Sequence, residues 1–516
     1  MTTRRETLLA SMGMGVLTPG AQRKLADAAP LGSPNINSVA SIVDLERLTG
    51  TSGQCIYLSE PGRSGVFIFD QSNLASAITS DPEKGVYIAP SGDPRGSSGA
   101  WIRQYEGPIH ATWFGVVADG LADDTKALNG AAIMALRKKQ ALIMPAGTLL
   151  ITETVRLATS TYGAGEASTR IVTLTADFDA VVIANAADFL ELRGFGVQTS
   201  KGKSSGRGIV FERENNNIVV ERLFVGRFAI GFDLAALNFV QAYRMLRADE
   251  CDIGFSCDGR DTDGSGNGTS LSFQQCYAND CRIGFDIRYV SSVSFNQAIV
   301  DLKSSTSICI RTVGVGTVNA YDFHFEGTPG VNGAYFDFIT IGNLGSTLNI
   351  FGGYIDGADL TGRDFKLIRI AGNNDTVDVN IHGLGSRNIE LAGNDAFLLN
   401  NSTGFITLSI HGSIYPALSV DSSKVSGAFR VKDYTLEGTG PQFSGAELLS
   451  SGESIATGLN KKPYSVVQIN NENLEAKLIH PVVAGRSSNG KISVRFFDSS
   501  GAEFTATPLL VAWIAW

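Results

Sequence analysis

Asn279, Asp301, Glu326 and Asp356 each fall eight positions after the start of a similar apolar trio. The trios are Leu271-Ser272-Phe273, Val293-Ser294-Phe295, Val318-Asn319-Ala320 and Leu348-Asn349-Ile350. Aligning Ile253 with Ile283 brings Asp249 into the same register. If the trios are strands stacked in successive coils, these side chains form one column, spaced like paired strands at about 4.7–4.9 Å. Hydrolysis of a glycosidic bond needs two flanking carboxyl groups, one protonated and one ionised. Adjacent coils come near the ~5–5.5 Å separation of retaining chemistry, and alternate coils near the ~6.5–9.5 Å of inverting chemistry. Asp301 with Glu326 or Asp356 is therefore the candidate catalytic set. Like charges stacked this closely repel, a cost that structure alone does not demand. Asp249 and Asn279 become substrate-binding candidates on the same edge. Tyr321 and His324 could orient a sugar or tune the acid, Tyr354 could stack on a ring, and Arg282 could hold an acidic sugar. The competing reading is that the column marks turns, where Asp and Asn favour tight bends.

A stack of coils is what must hold such a column. Ile209-Val210-Phe211, Ile230-Gly231-Phe232, Ile253-Gly254-Phe255, Ile283-Gly284-Phe285 and Ile308-Cys309-Ile310 recur at spacings of 21, 23, 30 and 25 residues. That period suits one coil of a β-solenoid, whose coils bury their inward side chains only against their neighbours. The long spacing is explained by a polar insertion from Asp261 to Gly268.

Upstream lies the most specific stretch, Trp113-Phe114-Gly115-Val116-Val117-Ala118-Asp119-Gly120, then Asp123-Asp124-Thr125-Lys126-Ala127-Leu128. It continues to Leu142-Ile143-Met144-Pro145-Ala146-Gly147-Thr148-Leu149. It reads as strand, turn, capped helix and strand. Asp123 and Asp124 are placed to meet free N–H groups at the helix start. Leu128, Ala131, Ala132, Ala135 and Leu136 share one helical face.

This combination resembles the motif "GDGxxDDTxA … PxGxY" of the pectate-lyase superfamily, with Ala118 in place of its first Gly. The resemblance implies an all-β chain, a right-handed parallel β-helix whose N-terminal end is capped by the short helix. The preceding segment, ending near Ala100-Trp101-Ile102-Arg103-Gln104-Tyr105, resembles the unit before the helix in phage-tailspike-like proteins. On that likeness the expectation is a polysaccharide depolymerase that assembles as a homotrimer. It would act outside the cell on a bacterial surface or secreted polysaccharide, carried on a phage tail or exported. Elimination next to a uronate is the second reading, since it needs a Lys, Arg, Tyr or His base and the register puts no Lys or Arg in the column. A non-catalytic glycan-binding adhesin is the third.

The divisions expected are 1–35 as export signal or anchoring arm, 36–108 as a β-rich unit and 109–416 as the β-helix, with its capping helix near 123–140. Residues 417–440 would be a linker or last coil, and 441–516 a β-sandwich-like domain. Arg4-Arg5, the apolar run from Leu8 to Leu17 and Ala26-Asp27-Ala28 resemble a twin-arginine signal. With 42 basic and 51 acidic residues the net charge is −9, which argues against nucleic acid. A strongly anionic glycan would need a local basic patch. No apolar run is long enough to span a membrane. The six cysteines show no CxxC, so buried thiols are expected and no metal site or cofactor.

Overall fold

The computed structural model describes residues 37–411 except for short loop segments, the longest being 388–397, and beyond 411 the strands between 429 and 515. Each sequence repeat becomes one coil of three parallel strands. One coil runs Ile283–Arg288, Val290–Asn296, Ile299–Leu302, and returns to the start of the next at Ile308. Corresponding strands stack into three ribbons along a right-handed solenoid of about nine turns. In the first ribbon Ile253 pairs with Ile283, then Ile308. In the second, Leu271 pairs with Val293, Val318 and Leu348 in turn.

Inward side chains meet their counterparts one coil away. Phe232, Phe255 and Phe285 stack at 5.0 and 4.6 Å, and Tyr243, Phe273 and Phe295 at 5.1 and 5.4 Å. The repeated Gly of the first ribbon has a steric cause. A Cβ on Gly254 would stand 2.7 Å from the Gly284 carbonyl, and one on Gly284 2.6 Å from that of Cys309. Cys251, Cys257, Cys276, Cys281 and Cys309 lie buried in this core, where they pack as small apolar groups.

The corner between the second and third ribbons is a column of left-handed residues. Arg222, Met245, Gln275, Gln297 and Asp322 have φ from 47 to 54°, and Gly352 and Gly383 continue the column at 66 and 65°. A single left-handed residue turns the chain sharply, and long polar side chains at such a corner project outward.

The helix spans Thr125–Lys138 and closes the first coils with Leu128, Ala131, Ala132 and Ala135. Leu136, expected on that face, is 43% exposed. Asp123 caps the helix, accepting from the Thr125 N–H at 3.0 Å. Asp124 does not cap it. Its carboxylate turns back to accept from the N–H groups of Val117 and Ala118 at 2.8 and 3.1 Å, fixing the loop that leads into the next strand, Asp119–Asp123. Ala118, standing where the superfamily has Gly, has a φ of 58°.

Before the solenoid, Asn37–Val39, Cys55–Leu58, Gly65–Asp70, Tyr87–Ile88 and Ala100–Gln104 form a small sheet around Phe67, Ile88 and Trp101. Arg63 ties it to the solenoid by donating to the Trp113 carbonyl at 2.9 Å. At the other end Phe429–Asp433 still pairs parallel with Ile406–Ile410. Antiparallel strands follow. Leu509–Ala515 pairs with Phe443–Leu449 and Ser465–Ile469, and Lys491–Phe497 with His480–Arg486 and Ser454–Ala456. The signal or arm and most of the Asp261–Gly268 insertion lie outside the described residues.

Candidate active site

The third ribbon is made of short strands that alternate out, in, out. Ala278, Val300, Phe325 and Ile355 point into the core and are at most 1% exposed. The residues before and after each therefore face outward as two parallel columns. The later column runs Asp249, Asn279, Asp301, Glu326, Asp356, in the strand register the repeats predict. The earlier one runs Arg247, Tyr277, Ile299, His324, Tyr354. One further step places Arg387 after Asp356. Among the described residues the last register position of the column is Arg387, which corrects the reading that it offers no Lys or Arg.

The two columns engage each other. Arg247 grips Asp249 with two hydrogen bonds of 2.8 and 2.7 Å. The Tyr277 hydroxyl donates to the Asp301 carboxylate one coil on. Burial and the neighbouring Asp301 both push the Tyr277 phenol above its ordinary value, so it stays a protonated donor. His324 Nε2 lies 3.3 Å from Glu326 Oε2, and the Glu326 side chain is 61% exposed. The His324 and Tyr354 rings are 5.7 Å apart.

Tyr321 ends the second ribbon, one corner before His324. It stacks on Phe351 at 5.1 Å and 8°, and Phe351 on His382 at 4.8 Å and 16°. Stacked rings cover each other's faces, so within this ladder Tyr321 keeps a face uncovered by a ring on its N-terminal side, where Asn296 precedes it. Arg282 is not brought to the columns. It lies on the turn toward the first ribbon, in a two-bond pair with Asp252 at 2.7 and 2.9 Å.

Upstream, the same corner opens into a groove of about 610 Å³. Arg193, Arg222, Arg247, Glu166, Tyr277 and Ile299 line it, together with glycines 163, 165 and 194. Sequence reasoning missed the arginines. Carrying the register two residues back from Asp249 reaches Arg247, but Arg193 and Arg222 come from a strand end and a corner, which no repeat motif marks.

Parallel coils and a capping helix define the class, a right-handed parallel β-helix. Among solved structures, tailspike protein 2 of bacteriophage CBA120, in its enzymatically active domain, is similar at 14% identity. The match covers 93% of this chain and 81% of that one, with a TM-score of 0.58. The gp42 tailspike of Acinetobacter phage vb_AbaP_AS12 is similar at 13% identity over 92% and 94% of the two chains, with a TM-score of 0.57. No protein-family model matches the chain, and no curated protein does.

Proposed function

We propose that this protein is an extracellular polysaccharide depolymerase of tailspike build that cleaves glycosidic bonds hydrolytically with Asp301 and Glu326. The observation carrying this is the outward column itself. Two carboxylates in adjacent coils each have a polar neighbour, Tyr277 for Asp301 and His324 for Glu326. Asp301, oriented by the Tyr277 hydroxyl, is assigned as nucleophile or base. Glu326 reaches furthest into solvent and is assigned as proton donor to the leaving oxygen. Adjacent coils favour retention; Asp356, two coils from Asp301, is the partner an inverting reaction would use. Asn279 and Asp249 extend the binding edge toward the groove, and Tyr321 and Tyr354 flank the acid.

Elimination is the second reading, favoured by His324 and Arg247 standing beside the carboxylates, since a base and a neutralising cation are its requirements. Incubation with a panel of capsular and secreted polysaccharides separates the readings. Hydrolysis yields new reducing ends alone. Elimination yields reducing ends plus an unsaturated product absorbing in the ultraviolet. An adhesin binds and yields neither, which would remove the enzymatic assignment.

We further propose a homotrimer on a phage tail or secreted from a bacterium, with division into the β-rich unit, solenoid and C-terminal β domain as read from the sequence. Light scattering at micromolar concentration should give three times the 54.7 kDa chain mass; a monomer contradicts it.

A further inference from the structure

We infer that the groove upstream of Asp301 is a subsite for a carboxylate-bearing sugar, an assignment that rests on the polysaccharide reading and narrows it to acidic glycans. Three arginines and one glutamate line the groove, in a chain whose net charge is −9. The charged side chains of the lining alone are therefore net positive, opposite in sign to the whole molecule. Each arginine also has a carboxylate partner outside the lining. Glu191 lies 2.9 Å from Arg193, Glu221 3.6 Å from Arg222, and Asp249 2.7 Å from Arg247. The three arginine side chains remain 45, 61 and 43% exposed. A guanidinium has five donors in a planar fork, and one carboxylate uses at most a few of them. The remaining donors are available to a ligand carboxylate, while the partner carboxylates hold the forks in place.

The groove is also shaped for a ring. Its volume falls within the range of small-molecule sites. Part of its lining is backbone, where Gly165 donates to the Gly194 carbonyl at 2.8 Å and a Cβ on Gly163 would stand 2.2 Å from that same oxygen. The lining also reaches Tyr277 and Ile299, the residues beside Asp301. A glycan following the corner along the axis would place an acidic unit among the arginines and the next linkage beside Asp301 and Glu326.

The test uses the intact protein and a bacterial polysaccharide array containing neutral and uronate-bearing chains. Each bound uronate chain is also presented after its carboxyl groups are reduced to alcohols. Arg193→Gln and Arg222→Gln are combined in one variant. Glutamine is compatible with both places, because Gln274 occupies the strand-end position of Arg193 in a later coil, and Gln275 and Gln297 occupy the corner of Arg222 with φ of 53 and 54°. An unchanged melting curve verifies its fold. Wild type should prefer uronate chains and lose at least tenfold in affinity when they are reduced. The variant should bind the acidic form no better than the reduced one. Preference for neutral chains, indifference to reduction, or an unchanged variant overturns this subsite while leaving a depolymerase standing. Failure to bind or cut any polysaccharide overturns both.

Discussion

Two ladders of charge run along the same solenoid, and they obey opposite rules. On the first ribbon the register stacks Asp286, Arg311, Asp337 and Arg369 in alternating sign. The aspartates there are 1 and 3% exposed. Arg311 and Arg288 reach Asp286 at 2.9 and 2.8 Å, and Arg369 reaches Asp337 at 2.7 Å. On the third ribbon the register stacks Asp301, Glu326 and Asp356 in one sign. Where this fold stacks charge for its own stability, it alternates sign and covers the result. The like-charged column follows neither habit, and cross-strand like charges are destabilising. Asp301, Glu326 and Asp356 are third-ribbon strand positions, while left-handed residues directly follow the column at Glu250, Asp280 and Gly327, so a turn role and a catalytic role are separated by the substitutions below.

The comparison breaks most clearly on activity. Asp301→Asn and Glu326→Gln keep shape and remove charge. Each should lower turnover by about 10²–10⁴-fold, the usual cost of losing a general acid or base, while melting temperature holds or rises as repulsion is relieved. Full turnover in both variants on a cleaved substrate would return the column to a structural role. Asp286→Asn should do the reverse. It strands buried arginine contacts and should cost about 3 kcal/mol of stability, as for a broken buried pair, with turnover per folded molecule unchanged.

The Asp286 substitution also carries a pH signature. Burial pushes the Asp286 carboxyl up, but hydrogen bonds from Arg311 and Arg288 more than offset this, leaving it below its ordinary value. A depressed folded value means that the stabilisation is full above the unfolded carboxylate range near pH ~4 and fades as pH falls through the lower folded value. The gap between wild type and Asp286→Asn, measured by denaturant unfolding, should therefore close in acid. A constant gap down to pH 2 would show that packing, not charge, is lost.

A smaller effect is expected at Tyr277. Tyr277→Phe removes one donor to Asp301, and hydrogen bonds to charged groups contribute ~1.5–3 kcal/mol at most. Turnover should fall roughly tenfold with the melting curve nearly unchanged, because the ring still lies under Arg247, 5.1 Å from its centroid. If stability falls and turnover does not, Tyr277 is only packing.

The acidic column was legible because its register follows from apolar trios with a near-constant offset, and a period-two strand allows no slip without exposing the core. The capping helix was legible from its spacing, but the work of Asp124 was not. Its partners are backbone N–H groups of a preceding loop, and their position depends on how the chain folds back. The groove was hidden for a related reason. Arg193 and Arg222 are ordinary charged residues in one dimension, and only stacking brings them to the same corner. Arg282 shows the converse, a residue near the column in sequence that the turn carries away to Asp252.

The finest test adds charge instead of removing it. Asn279 sits between Asp249 and Asp301 in the acidic column. Asn279→Asp would make a run of five carboxylates with no amide interruption. Opposed like charges on paired strands cost roughly 0.2–1 kcal/mol, and at this half-exposed edge the interaction passes partly through water. Asp249 is already held by Arg247 and Asp301 by Tyr277, so both neighbours are partly compensated. The expected loss is therefore about 0.5 kcal/mol at low salt. It should vanish near 1 M salt, where the screening length shrinks to about 3 Å, below the coil spacing. The same variant on the first ribbon's pattern, Arg311→Asp beside Asp286, should cost several-fold more and resist salt, because that ladder is buried. If Asn279→Asp destabilises as much as Arg311→Asp and ignores salt, the third-ribbon column is not a solvated edge, and a polysaccharide could not reach it.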